Sequence, residues 1–288
     1  MIKCFNLIHD ILLLIISFLV NFFSFQVSTL NNYPSVTKNK KSIIIVNGPS
    51  LKKDIKKLIY KKNSFEFYGV NYFAMTKIFR IIKPKYYTFA DPIFWRKDIN
   101  SDFKKDDLKL FKILSKVDWD MHLICPSVGA KIVQKKLNKN RYIKVIPLRS
   151  NYYNFKNENL NIFGLMNGIV TPAFNNVLIV ALWHALQRKV PYIEFYGADF
   201  SAFKELSVNQ KTNALSSSIT HYYKNTKAQA DPLSKYSGKK KKKIHERLFQ
   251  IWNSFNQMYL LSVVAKKLKI KVINFSSNSY LDTFERPK

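Results

Sequence analysis

The strongest constraint on this chain is a rhythm: short apolar runs that close on a polar corner alternate with longer stretches of helical spacing. "SIIIVNG" (42–48) reads as a buried strand, "LKKDIKKLIYKK" (51–62) as a helix, and "FEFYGVNYF" (65–73) as a second strand and its turn. "PKYYTFADP" (84–92) follows as a third strand, "DDLKLFKILSKV" (106–117) as a helix, "MHLICP" (121–126) as a fourth strand and "KVIPL" (144–148) as a short fifth. "TPAFNNVLIVALWHALQRK" (171–189) reads as one long apolar helix, with Thr171 as its cap and Pro172 in its first turn. "PYIEFYGADF" (191–200), a long helix over 247–269 and "IKVINFSS" (270–277) complete the pattern. Strands that alternate with helices predict an α/β sandwich around a mainly parallel sheet. Residues 201–243 lack that periodicity and contain Pro232 and Gly238. So long a break in a compact domain reads as a lid or binding loop.

The first thirty residues stand apart. The segment 11–25 is apolar but broken by Ser17, Asn21 and Ser24, with Asp10 just before it. At about 100° per residue those four polar positions share a stripe roughly 60° wide. Such a seam suits a helix lying in a membrane interface, one paired with another membrane helix, or one packed on its own domain. The expected organisation is a membrane-associating helix over 1–30, a linker over 31–41 and an α/β domain over 42–288. Every candidate site residue lies beyond residue 46, so the helix is expected to be separable from the site. Lysine and arginine crowd the C-terminal side of the segment, and the positive-inside tendency favours a cytoplasmic body, a rule that long domains obey weakly.

The formal net charge of +30 fits an anionic partner, and equally a lysine content raised throughout by A+T-rich codons. Its one dense run, Lys239 to Lys243, reads as a solvated loop before a helix. No zinc-ligand spacing, RNA-binding aromatic signature or helix-turn-helix pattern accompanies it, so nucleic acid is not expected as a partner. Two cysteines, Cys4 and Cys125, are too few for a disulfide framework and point to a reducing compartment. Cys125 falls inside a strand pattern and reads as core. Asp118-x-Asp120 has the form of a metal-binding string but precedes a strand instead of closing one, and no metal or cofactor is expected from it.

In a parallel sheet, ligands bind beyond the carboxyl ends of the strands, where helix N-termini offer free N–H groups. The corner Asn47-Gly48-Pro49-Ser50 is such a place: glycine allows a tight turn, and the Asn47 amide can bond a base or sugar. It is neither a Walker A loop nor a GxGxxG fingerprint, and by itself it also suits a plain turn.

Taken together, "IIIVNGPSL", "GVNYF", "TFADPIFW", "TPAFNNVLIVALWHAL", "IEFYGADFS" and "THYYKNT" resemble, in content and order, the bacterial family-42 sialyltransferases. The resemblance runs from about residue 42 to 280. The tail "NFSSNSYLDTFERPK" is similar to uncharacterised bacterial surface-polysaccharide relatives of that family. The resemblance implies a single Rossmann-like domain with a lid, and metal-independent, inverting transfer of a sialic-acid-like sugar from a CMP donor to a surface glycan or lipooligosaccharide. Carried over motif by motif, Asn47, Gly48 and Ser50 would meet the donor's nucleotide and phosphate, joined by Asn71. Asp91 stands where the family has an asparagine. Thr171, Gly197 and Asp199 would line the cytidine pocket, and the Tyr222 hydroxyl would support the departing phosphate.

The family's histidine base falls here on Asn225, its second tyrosine on Ser201 and its arginine on Ile169. These departures leave the sugar open and make His221 the nearest candidate base. An imidazole with a pKa near 6.5 suits removal of an acceptor proton at neutral pH. Tyr222, Tyr223 or Lys224 could then stabilise the phosphate charge. His184, inside an apolar helix, His122, His245 and His9 read as structural or solvated. Two other readings stand beside this one: a pyrophosphokinase-like or flagellin-modifying relative using another nucleotide, and a non-enzymatic, membrane-tethered scaffold for polyanions. The oligomeric state is left open.

Overall fold

The computed structural model describes residues 2–23, 40–96, 101–217, 231–232 and 243–288. Helix α1 (Ile2–Phe23) precedes a run of strands and helices: β1 (Lys41–Ile45), α2 (Leu51–Tyr60), β2 (Phe65–Val70), α3 (Ile78–Ile82), β3 (Tyr86–Thr88) and α4 (Ser101–Leu114). There follow β4 (Met121–Pro126), α5 (Ser127–Leu137), β5 (Ile143–Leu148), α6 (Glu158–Met166), α7 (Val177–Gln187) and β6 (Tyr192–Tyr196). Short strands β7 (Leu206–Val208), β8 (Leu215–Ser217) and β9 (Asp231–Pro232) form a small antiparallel sheet before α8 (Ile244–Lys267) and β10 (Lys271–Asn274). These three short strands fall within 201–243, the segment read as a lid or binding loop.

The main sheet has seven strands in the order β10-β6-β1-β2-β3-β4-β5, every neighbouring pair parallel. Helices cover both faces, which is why β1 is apolar without alternation. Ile43 and Ile45 pack with α2, α3, α4 and α5, whereas Ile44 packs with α6, α7 and α8. The α/β architecture with a mainly parallel sheet matches the sequence reading.

The apolar helix near residue 171 is shorter than expected. It begins at Val177, because the Asn176 side chain accepts from the Leu178 N–H and acts as the cap. Thr171 is held elsewhere: its N–H donates to the Asn151 carbonyl at 3.0 Å, and its hydroxyl accepts from the Asn151 N–H at 2.9 Å. Helices α3, α5 and α6 escape the sequence reading. In α5 the buried Ala130, Val133 and Leu137 do have helical spacing, diluted by intervening lysines and a glycine.

Under α7 the core encloses a polar network. Arg188 donates to Glu66 at 2.9 Å and to the Tyr68 hydroxyl at 3.0 Å, and its guanidinium lies 4.1 Å from the Tyr86 ring centroid. The Tyr68 hydroxyl also meets His184 Nδ1 at 3.0 Å. Burial holds the His184 pKa well below its ordinary value, helped by the positive charge of Arg188. His184 is thus a neutral core residue, as its place in an apolar helix implies.

Helix α1 packs on the domain through its polar seam. Asp10 is fully buried, and its carboxylate accepts from the N–H groups of Lys156 at 2.8 Å and Asn157 at 2.5 Å, at the start of α6. Farther along, the Ser17 hydroxyl donates to the Ile169 carbonyl at 2.6 Å and accepts from Asn151 Nδ2 at 2.5 Å. Arg149 donates to the Val20 carbonyl at 3.2 Å. Of the three uses of the polar seam, packing on its own domain is the one the structure has. Among the described residues no helix is long and apolar enough to cross a membrane. Asp10→Ala would leave two N–H groups unsatisfied beneath α1, and is expected to destabilise the full chain by about 1–3 kcal/mol in chemical denaturation.

Candidate functional site

The strand order reverses beside β1. Its successor β2 lies on one side, and β6, which follows much later in the chain, lies on the other. The crevice beyond the carboxyl ends at such a switch point is where open α/β sheets bind ligands. Two of the sequence-predicted motifs meet there. Residues 46–50 leave β1 while 197–199 leave β6, joined by Val46 N–H to the Tyr196 carbonyl at 2.8 Å and Gly48 N–H to the Gly197 carbonyl at 2.9 Å.

The meeting is close enough to exclude side chains. A Cβ on Gly48 would fall well inside contact distance of the Gly197 carbonyl oxygen and 2.8 Å from Asp199 Oδ2. Gly197 has φ +71°, and a Cβ there would strike the Val46 carbonyl. The glycine in the Asn-Gly-Pro-Ser corner thus serves backbone approach between two strands.

Ser50 and Asp199 are committed to each other. The Ser50 N–H donates to Asp199 Oδ2 at 2.9 Å, and the Ser50 hydroxyl donates to Asp199 Oδ1. The carboxylate therefore sits at the N-terminus of α2, the place where a phosphate was expected. Burial pushes the Asp199 pKa up, and the hydrogen bonds from Ser50 pull it partly back. The C-terminal tail buttresses this corner. Ala198 N–H donates to Ser276 Oγ at 2.9 Å, Ser279 Oγ donates to the Ala198 carbonyl at 2.5 Å, and Tyr280 N–H donates to the Asp199 carbonyl at 2.9 Å.

The polar atoms left over lie on the other side of β1. Asn47 is buried, and its Nδ2 donates to the Val70 carbonyl at 3.0 Å, while its Oδ1 has no hydrogen-bond partner among the described residues. Asn71, at φ 44°, accepts from the Tyr87 hydroxyl with its backbone carbonyl, and its side-chain Oδ1 is likewise buried without a partner. On the next strand the buried Thr88 Oγ1 is a third such atom, which sequence reading missed. Its signal was a polar residue ending a fully buried strand. Three adjacent strand ends, β1, β2 and β3, thus each leave one buried side-chain oxygen unpaired, an unusual cost for a folded domain.

Beyond β3, Asp91 accepts from the Ile93 N–H at 3.0 Å, and burial raises its pKa. Asp107, which sequence reading also missed, has its pKa raised by burial, with the neighbouring charge of Asp91 adding to the effect. The Tyr72 hydroxyl donates to Asp107 at 2.7 Å.

Thr171 is brought to Asn151 instead of this crevice's β1–β6 corner. His221, Tyr222, Tyr223, Lys224 and Asn225 lie outside the described residues. Cys125 is buried, its thiol pKa pushed up to about 12 by burial, in keeping with a core role. Asp118 is exposed and pairs with Lys83 at 3.6 Å, and among the described residues no group of three or more histidines, cysteines and carboxylates could hold a metal ion.

No protein-family model matches the chain, and no curated protein matches it significantly. Among solved structures it is similar to the MAf glycosyltransferase from Magnetospirillum magneticum AMB-1, at 9% identity and a TM-score of 0.47 over 89% of this chain. The chain spans about a third of the length of that protein, 34% being covered. At this level the likeness assigns no activity.

The contact between the β1 and β6 corners generates a sharp expectation. Gly48→Ala has no space to relax into, because its obstacle is backbone, and it should lower stability by about 2–4 kcal/mol. Denaturant unfolding of the full chain measures this, and a loss under about 0.5 kcal/mol, the range of a surface substitution, would contradict the close approach.

Proposed function

We propose that this chain is an inverting, metal-independent glycosyltransferase that moves a sialic-acid-like sugar from a CMP donor to a surface glycan or lipooligosaccharide. The observation that carries the reading is the pair of buried, unpaired acceptors, Asn47 Oδ1 and Asn71 Oδ1, at the switch point of a parallel sheet. Acceptors without donors call for a ligand that brings N–H or O–H groups. Cytidine brings an exocyclic amine and ribose hydroxyls, whereas uracil lacks the amine. The sequence resemblance supplies the same nucleotide independently. With Asp199 at the α2 N-terminus, the donor phosphate is not assigned to that helix end, and its charge falls to donors such as Tyr222, Tyr223 and Lys224.

In the reaction the acceptor oxygen attacks the anomeric carbon as the bond from that carbon to the phosphate oxygen breaks. CMP leaves as a monoester and needs little proton donation. His221 is assigned the acceptor proton on its chemistry, because the family's base position holds Asn225. The reaction belongs, in this reading, at the cytoplasmic face of a bacterial inner membrane.

A thermal-shift comparison of CMP, UMP, GMP and ATP, each with and without magnesium, tests the nucleotide. CMP alone at about 100 times its dissociation constant should add about 2.7 kcal/mol. Asn71→Gly keeps the left-handed backbone conformation and removes the Oδ1 acceptor. It should melt close to the parent without ligand yet lose most of the CMP stabilisation. Stabilisation by ATP with magnesium and none by CMP would replace this reading with the pyrophosphokinase-like one. Turnover tests the base separately: His221→Ala should lower kcat by about 10²- to 10⁴-fold with CMP affinity little changed. Unchanged turnover in that variant removes His221 from the mechanism.

A further inference from the structure

Helix α1 is inverted relative to an ordinary surface helix. Its polar residues Asp10 and Ser17 are fully buried, while Phe5, Ile8, Leu12, Ile15, Ile16 and Leu19 are each between 43% and 71% exposed. At 3.6 residues per turn those six fall within an arc of about 100°, nearly opposite Asp10 and Ser17. They make an apolar stripe roughly 21 Å long at 1.5 Å per residue. A soluble surface does not ordinarily carry such a stripe without a partner.

Exposed apolar rings also occur on the helices beside α1. Helix α1 packs on α6, and α6 packs on α8, with the Tyr259 hydroxyl donating to Glu158 at 3.1 Å between the last two. On α6, Phe163 is exposed, and on α8, Phe249 and Trp252 stack with ring centroids 5.7 Å apart while both remain more than half exposed. Large aromatic rings of this kind favour the boundary between water and hydrocarbon. The exposed Lys156 and Lys243 border the two helices, and the run Lys239 to Lys243 leads directly into α8 in the sequence.

We infer that α1, with Phe163 and the first half of α8, docks flat on an anionic lipid bilayer, α1 lying in the plane of the interface with its apolar stripe among the acyl chains. The in-plane orientation follows from the tether. Contacts at Asp10, Ser17 and the Val20 carbonyl run along the helix and hold it lengthwise against the domain. Charge selects lipid over a second copy of the chain. Two chains of formal charge +30 repel one another, whereas anionic headgroups attract lysines near the surface. Docking has a consequence for the site, on the reading proposed above. Ser17 and Val20 touch Asn151 and Arg149, just past the carboxyl end of β5. The edge of the sheet that carries the candidate site is then held beside the bilayer, where a lipid-linked acceptor would be presented.

Cosedimentation of the full chain with vesicles tests the docking without any nucleotide. Binding should be strong to phosphatidylcholine mixed with phosphatidylglycerol and weak to phosphatidylcholine alone, and salt should reduce it without abolishing it. The double variant Leu12→Glu/Ile16→Glu alters only outward positions and should melt like the parent, yet lose vesicle binding by about ten-fold or more. Brominated lipid should quench tryptophan fluorescence in the full chain, and Trp252→Phe should remove most of that quenching. Failure to bind either vesicle, or equal binding by the double variant, would overturn the inference. So would a stable dimer in solution that the double variant converts to monomer, since a second copy would then own the face. Binding without quenching of Trp252 would remove α8 from it. CMP stabilisation is read in a separate experiment, so loss of one result leaves the other standing.

Discussion

The candidate site depends on one close approach. Where β1 and β6 end, the backbones at Gly48 and Gly197 come together too tightly for either residue to carry a Cβ. That contact joins segments separated by 149 positions and closes the corner through the Ser50–Asp199 pair. It also decides which groups are left to meet a ligand. Because the Asp199 carboxylate occupies the start of α2, that helix end is neutralised from within, and the unsatisfied atoms lie on the β2 and β3 side instead. Among the described residues, the groups the crevice leaves unpaired at these three strand ends are acceptors.

The two helical layers have different tasks. The layer built from α2, α3, α4 and α5 packs through apolar and aromatic side chains, including the stacked Phe89 and Phe94 at 4.1 Å. The opposite layer contains the buried Glu66–Arg188–Tyr68–His184 network. Such a network is not in itself a source of great stability, since desolvation of the charges offsets their attraction. Its geometry does restrict how α7 can sit against β2 and β3, and an α7 displaced along its axis would leave Glu66 buried with fewer partners. The apolar α7, which could otherwise slide on an apolar sheet, is thus held in register by a polar contact.

Helix α1 extends the same layer and reverses the usual distribution of polarity. The carboxylate of Asp10 satisfies N–H groups at the start of α6, an arrangement favoured by the positive end of that helix. Burying this seam turns the apolar side outward. An outward stripe of leucine, isoleucine and phenylalanine is then a product of how the helix packs, and it gives the domain one face suited to hydrocarbon.

Much of the fold was legible in the sequence. Ile43, Ile44 and Ile45 in succession require cover on both sides, so the alternation of such runs with helical segments already implied a parallel sheet between two helical layers. The Asn47-Gly48 corner was legible too, as a polar turn that closes an apolar run, whereas Gly197 and Asp199 were singled out only through the resemblance. Helix α5 was obscured by its lysines, and the start of α7 by competition between two caps, which Asn176 wins through its bond to the Leu178 N–H. What the sequence determined by itself is local: which segments are strands or helices, and where the chain must turn. Tertiary structure alone decided that Asp199 caps α2, that Asn47 and Asn71 each keep an oxygen without a partner among the described residues, and that Asp10 points inward. Each of these depends on a partner distant in the chain, and hydrogen bonds and desolvation act only between groups that folding has brought within a few ångströms.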